Sequence, residues 1–532
     1  MRLPPIHPFL FALYPILFLW SSNLGSVSPE EIVVPLVIAL GAAVVLLLIP
    51  YFCFGWDIRR IGIWTSFFIC AFFSYWALQE LASYALLGKP VGMSNYHLLP
   101  VWVFTLVLGT AFIARTHRDL NKITSLLNVV SCLLVVFCGV NIELYSVGLA
   151  LHAPRTAEAR IDYATPGQKE VTRAALGTRR SLPNIYYIIL DAYGRSDVLK
   201  NIYDYDDSAF LDWLSQKGFY VASRSRSNYC TTSLSLASSL NFTLLDHLPP
   251  EIESGRAGKR LLSKMIRNNR ISSVLKDFGY KTISFSSGYS LTEIQSADFY
   301  VLPDYNVSEF INNLIGMTPL QSVYFHLFHD YGLGNDFHRR RLSFILDNLA
   351  KVGKGRGPFF VFCHLVAPHP PFLFDEEGRS VSAGHPFSFN DASDFHHMNP
   401  SLQKEYCSGY IRQIPFINRK IMESVEEIIS RSSEPPIIVI QADHGPGAML
   451  DWNNPDPVNS ALVERFSILT AIYVPEQLRK FLYLDMTPVN TFRIILNHGF
   501  GKPLDLLPDK SYYCTNIKSD VFKLTDVTER IR

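Results

Sequence analysis

A run of 23 residues without a single charge, at positions 32–54, constrains this chain more than any other feature. At about 1.5 Å per residue such a helix spans a hydrocarbon core roughly 30 Å thick, and no soluble domain calls for it. Four more apolar stretches accompany it, at 8–20, 61–78, 98–114 and 123–142. The first is short enough for a cleaved signal peptide, but 21–28 contains no A-x-A site, so it is read as a retained helix. Residues 1–150 are expected to form a five-helix transmembrane domain.

Loop charges orient it. Arg2 precedes the first stretch, Arg59 and Arg60 follow the second, and Arg115, Arg118 and Lys122 follow the fourth. The alternate loops carry Glu30 and Glu31, or the almost neutral residues 88–96. Positive charge on every second loop predicts a cytoplasmic N-terminus and, after five crossings, the remainder outside, which is the periplasm if the cell is Gram-negative. Glu80, at the end of an apolar run, is read as interfacial. Residues 151–181 form a basic polar linker with Arg155, Arg160, Arg173, Arg179 and Arg180. It is either a solvated tether or a segment lying on anionic headgroups.

Lys+Arg 48 against Asp+Glu 47 leaves a net charge of +1, which argues against a nucleic-acid partner. Eight cysteines in 532 residues are no disulfide framework. Cys53, Cys70, Cys132 and Cys138 lie in apolar runs, whereas Cys230, Cys363, Cys407 and Cys514 fall outside the cytoplasm, where one or two bridges are permitted.

From 182 to 532 short runs rich in Ile, Val or Phe (185–190, 282–285, 359–363, 437–440) alternate with helical patterns at 208–217, 271–278 and 337–351. This predicts an α/β domain with a largely parallel central sheet. Metal-ligand residue types sit at the strand exits: Asp191, His364 and the pair Asp443-His444. Ligands of open α/β sheets bind outside the carboxyl ends of the strands, so these residues are expected to converge. Residues 227–241 supply hydroxyls at the start of a helix predicted from about Thr232, where unpaired amides and the helix dipole favour an anion.

Pro183-Asn184-Ile185 with Leu190-Asp191-Ala192-Tyr193, then Ser227-Asn228-Tyr229 with Thr232, His364 with Pro368-His369-Pro370-Pro371, and Ala442-Asp443-His444-Gly445 follow one another in the order of the alkaline-phosphatase/sulfatase superfamily. With its leading helices the chain resembles the membrane-anchored phosphotransferase branch, which includes phosphoethanolamine transferases, phosphoglycerol transferases and lipoteichoic acid synthases. The resemblance implies an extracytoplasmic catalytic domain over 182–532 and one divalent metal, zinc or manganese, held by Asp191, Thr232, Asp443 and His444. Thr232 is preferred to Thr231 because Thr232 and Ser235 reproduce the T-x-x-S spacing of the transferases. His369 matches a histidine that contacts the transferred phosphoryl group, and His364 is assigned to assist it or to bind a second metal.

Two departures from the family pattern bear on chemistry. Cys230 is followed by Thr231, Thr232, Ser233 and Leu234, without the Pro and Arg that formylglycine-forming sulfatases need. Residues 445–459 hold no histidine where the phosphoethanolamine transferases have one, and Arg465 is assigned to bind an anionic substrate instead. The resemblance implies a transferase that takes a headgroup phosphate, of phosphoethanolamine or phosphoglycerol type, from a phospholipid donor. A phospho-threonine then passes it to an envelope glycan or lipid acceptor. A membrane-anchored hydrolase (phosphatase, phosphodiesterase or sulfatase) and an inactive glycan-binding pseudoenzyme are the alternatives.

Overall fold

The protein is described from a computed structural model covering residues 4–24, 27–87, 98–151, 182–246, 255–304, 307–328, 333–353, 357–382, 387, 389, 400–515 and 520–531. The basic linker of the sequence reading lies outside the described residues, apart from its first residue, as does the loop at 88–97. The chain divides into two compact units.

The first unit contains the apolar helices: α1 (His7–Ser22), α2 (Pro29–Phe54), α3 (Ile58–Phe73), α4 (Tyr75–Leu87), α5 (Leu98–Arg115) and α6 (Leu120–Leu151). Each apolar stretch is helical, and the third is a pair, α3 and α4, bent by 54°. Among the described residues α2, α5 and α6 are long and apolar enough to cross a membrane, and the bent pair makes four if taken as one span. With 16 residues α1 is about 24 Å long, short of the ~30 Å core.

Starts and stops follow ordinary rules. Ser28 and Glu31 form a capping box on α2, which ends at Gly55 in a left-handed conformation. The Asp57 carboxylate caps α3 by accepting from the amides of Arg59 and Arg60. The Arg60 guanidinium donates to the carbonyls of Ala114 (2.6 Å) and Thr116 (3.2 Å), which joins the α2–α3 turn to the end of α5. Asn128, early in α6, accepts from the amides of Ile6 and His7 and donates to Pro4 O. The first described residues therefore lie at the same end of the bundle as both arginine-bearing turns.

Residues far along the chain join this unit: within Val307–Gly334 the helices Glu309–Gly316 and Leu320–Phe328 belong to it. Phe310 packs with Ile16, Val27 and Ile32, and the Trp76 amide donates to Met317 O at 3.3 Å.

The second unit is built on a seven-stranded sheet. Its strands are β1 (Ile185–Leu190), β2 (Tyr220–Val221), β3 (Lys281–Phe285), β4 (Phe299–Val301), β5 (Phe359–Leu365), β6 (Ile437–Gln441) and β7 (Thr470–Tyr473), in spatial order β2-β7-β6-β1-β5-β3-β4. The strands β6, β1, β5, β3 and β4 are parallel, and β7 runs antiparallel between β6 and β2. Both faces of β1 are buried: Ile185, Tyr187 and Ile189 enter one core, Tyr186, Ile188 and Leu190 the other. Burial on both faces explains why these strands read as continuous apolar runs.

Two local expectations change. His364 lies inside β5, opposite Ile189, rather than after the strand. The apolar run at 466–474, which its residue types alone would make a strand throughout, is one only over Thr470–Tyr473, and Arg465 and Phe466 close the helix Asn459–Phe466. A short apolar run does not by its periodicity separate helix from strand.

Candidate active site

Because β1 lies between β5 and β6, the residues at its carboxyl end and theirs share one rim. The Asp191 amide donates to Leu365 O at 3.0 Å, which fixes its position relative to β5. His364 Nε2 lies 3.0 Å from Asp191 Oδ2. Beyond β6, the Asp443 carboxylate accepts from the amides of His444 (3.0 Å) and Ala192 (3.3 Å), locking together the turns that follow β6 and β1. Ala192 is held at φ +62, a conformation rare for a residue with a Cβ.

That turn is braced from outside. Tyr410 Oη donates to Ala192 O (2.8 Å) and accepts from Gly194 N (3.0 Å), and Tyr406, one helical turn earlier, accepts from Gly447 N (3.1 Å). Both tyrosines come from the 32-residue helix Pro400–Arg431, which the strand-and-helix reading did not single out. Their spacing of four residues marks one buried face but not a role at the site. Gly445 is required by close approach, since a Cβ there would lie 2.1 Å from Glu464 O.

The helix Thr232–Asn241 begins where expected, with Thr231 as its N-cap. Thr232 Oγ1 lies 3.1 Å from His444 Nε2, whereas Thr231 Oγ1 is near only Ser233 Oγ, at 3.5 Å, among the contacts described. Ser235 does not reach the cluster; its hydroxyl donates to Tyr229 O and holds the turn before the helix.

The electrostatics fit a divalent cation. Asp191 Oδ1 and Asp443 Oδ2 are buried without a hydrogen-bond donor among the described residues. One ligand atom each from Asp191, His364 and Asp443 lie within 4.8 Å of one another. His444 Nδ1 is 3.0 Å from Gly445 O and donates to it, which leaves Nε2 with its lone pair toward the cluster. Nε2 is 3.6 Å from Asp191 Oδ1 and 3.4 Å from Asp443 Oδ2. Two buried carboxylates with bare oxygens are costly unless a positive charge faces them. Carboxylate and hydroxyl oxygens with imidazole nitrogens form a donor set for zinc or manganese.

Arg465 is buried with this group. It donates through Nε to Cys230 O (2.7 Å) and through Nη1 to Gly445 O (3.1 Å), while Nη2 lies 3.2 Å from His444 Nε2. The guanidinium also sits over Trp452. One cation thus ties the turn before Thr232 to the turn after His444. His369 stands beside the cluster, its ring 6.5 Å from that of His444, with Nδ1 against Pro370 O. The structure brings all seven expected side chains, Asp191, Thr232, His364, His369, Asp443, His444 and Arg465, into one neighbourhood. The cysteines play a smaller part: Cys230, Cys363, Cys407 and Cys514 are thiols, and Cys230 Sγ is buried, accepting from Cys514 N.

A strand-exit cluster of acid and imidazole groups facing a helix-start hydroxyl is an enzyme site suited to a divalent metal. The sulfatase family profile matches residues 183–475, more than half of the chain, and the chain belongs to that family. No curated protein matches it. Among solved structures it is similar to the zinc complex of the C-terminal periplasmic domain of EptC from Escherichia coli: 12% identity over 68% of this chain and 96% of that one, TM-score 0.41. It is also similar to the integral membrane lipooligosaccharide phosphoethanolamine transferase A of Neisseria meningitidis (12%, 94% and 96%, TM-score 0.35). A third is an alkaline phosphatase superfamily protein from Vibrio parahaemolyticus (12%, 64% and 75%, TM-score 0.35).

Proposed function

We propose that this enzyme is a metal-dependent transferase that moves the headgroup phosphate of a phospholipid, of phosphoethanolamine or phosphoglycerol type, to a hydroxyl of an envelope glycan or lipid. The observation that carries this reading is the 3.1 Å approach of Thr232 Oγ1 to His444 Nε2, at a helix start and beside two buried carboxylates. A cation held by Asp191, Asp443, His444 and Thr232, with His364 against Asp191, would lower the pKa of the Thr232 hydroxyl and polarise a phosphoryl oxygen.

The chain's own groups do the rest. Thr232 Oγ bonds to phosphorus as the bond from phosphorus to the diacylglycerol oxygen breaks, and that oxygen leaves as diacylglycerol with the proton given up by the Thr232 hydroxyl. An acceptor hydroxyl oxygen then attacks the same phosphorus and releases Thr232 as a hydroxyl. The amides at the helix start and Arg465 Nη2 offer positive potential to the phosphoryl oxygens. His369 donates from Nδ1 to Pro370 O, which leaves Nε2 as a hydrogen-bond acceptor for the hydroxyl that attacks the transferred group. The buried Cys230 thiol, aimed at Cys514 N, speaks against sulfate-ester hydrolysis through an oxidised cysteine.

The same reading places 1–150 in the membrane as five crossings, with the N-terminus cytoplasmic and 182–532 as an extracytoplasmic catalytic domain. Its support is the grouping of both arginine-bearing turns with the chain start at one end of the helices. The test is incubation of the purified full chain with headgroup-labelled phospholipids, followed by mass spectrometry of the peptide containing Thr232. A headgroup-phosphate adduct and free diacylglycerol are expected. An unmodified peptide with turnover to free headgroup phosphate would replace the covalent transferase with a hydrolase.

A further inference from the structure

The loop after β3 carries a buried polar network that the proposed chemistry leaves unused. Its residues 286–293 read Ser-Ser-Gly-Tyr-Ser-Leu-Thr-Glu. Thr292 Oγ1 lies 2.9 Å from His364 Nδ1, the ring nitrogen facing away from Asp191. Ser287 Oγ is 2.8 Å from the same hydroxyl, and Tyr289 O is 3.2 Å from it. Thr292, Ser287 and His364 are each fully buried. Glu293 ties the loop down by accepting from Gly288 N (2.6 Å) and Ser286 Oγ (3.1 Å), with Tyr300 Oη on its other oxygen. Gly288, at φ +81, admits Arg341 over the turn, since a Cβ there would lie 1.9 Å from Arg341 Nη1.

We propose that Thr292 is the positioning residue of His364, the group that turns the imidazole Nε2 lone pair toward the cation position beside Asp191. The reason lies in the two proton arrangements of the pair. With no cation, a proton on Nε2 is donated to Asp191 Oδ2, and the Thr292 hydroxyl donates to Nδ1. To face a cation, Nε2 must be bare, so the ring proton sits on Nδ1 and needs an acceptor. Thr292 becomes that acceptor by turning its own proton to Tyr289 O, which lies within reach. The number of protons is the same in both arrangements. A hydroxyl serves both; a methyl group serves neither, and a carbonyl serves only the second.

The inference rests on the metal reading above, adds His364 to its ligands, and is tested by affinity rather than turnover. The chelator-stripped full chain in detergent is titrated with zinc against a competing chromophoric chelator. Thr292→Val and Thr292→Ala should raise the zinc Kd by about 10- to 100-fold, with Thr292→Ser staying within about threefold of the parent. Melting of the stripped proteins distinguishes positioning from folding, because a variant that melts like its parent yet binds zinc weakly has lost only orientation. If the parent binds zinc and Thr292→Val and Thr292→Ala bind it equally well, the role of Thr292 is overturned and the metal reading stands. Equal losses in the serine, alanine and valine variants overturn it too. If the parent binds neither zinc nor manganese, the metal reading falls and the role of Thr292 with it.

Discussion

Thr232 and His444 are 212 positions apart in sequence, yet Thr232 Oγ1 and His444 Nε2 lie 3.1 Å apart. The contact joins the first residue of a helix to the turn after β6. Arg465 closes the same junction from behind, hydrogen bonded to Cys230 O and Gly445 O.

Thr232→Ala should lower headgroup transfer by at least about 10³-fold, the scale for deleting a covalent nucleophile, while metal and donor lipid stay bound. Thr231→Ala should keep most activity, since its hydroxyl is directed to Ser233. Serine at 232 should retain part of it. The opposite pattern, with Thr231→Ala inactive, would move the nucleophile by one residue.

Asp191→Asn and Asp443→Asn should each lose bound metal without unfolding. Each substitution removes one of two buried negative charges that have an oxygen without a donor, so the metal-free protein is relieved rather than weakened. Elemental analysis beside circular dichroism checks both parts. Undiminished metal in both variants would rule out this ligand set.

Glu464 should make stability fall as pH rises from about 4.5 to about 7. Burial pushes its carboxyl up to about 7, while it accepts from Ala448 N and Met449 N and faces Tyr203 Oη. The folded state therefore holds a proton that the unfolded chain releases near pH 4.5, so the contribution is complete below that pH and gone above 7. Thermal melting of the full chain at pH 5 and pH 8 should show the loss, and Glu464→Gln should flatten it.

Arg465→Lys should raise KM and lower kcat together, because a lysine ammonium cannot span Cys230 O, Gly445 O and the site at once. Steady-state transfer assays give both constants. A change in KM alone would confine Arg465 to substrate binding.

A periplasmic-type reporter fused after residue 152 should be active, and fusions after Arg60 or His117 inactive. Both inactive sites adjoin turns joined by the Arg60 guanidinium. Activity after Arg60 would reverse the proposed orientation.

Much of this arrangement is legible in the sequence because it rests on local signals. The uncharged run at 32–54 could be little else than a long apolar helix, and it is α2. The β1 run Ile185–Leu190 is apolar at every position because both of its faces are buried, so its ends could be read to the residue. Asp191, Asp443 and His444 could be chosen because their chemistry stands next to such strands. The helix start at Thr232 was legible from the polar residues before it. Arg465 was harder to place, because a short apolar run reads alike as strand or helix end.

Hydropathy and strand burial are written in neighbouring residues, so the apolar helices, the parallel sheet and the groups at its rim follow from local runs. What each group touches follows instead from how distant elements come together. Thr292, one of many hydroxyls in the chain, matters because the order of β3 beside β5 brings its loop to His364. Tyr410 braces the turn at Ala192, 218 positions away, and Glu464 meets Tyr203, 261 positions away. The helices Glu309–Gly316 and Leu320–Phe328 are more apolar than the helices on either side of them, yet only the fold shows that they join the first unit. Hydrogen bonds between remote residues depend on sheet order and turn geometry, and neither is encoded in any short window of the chain.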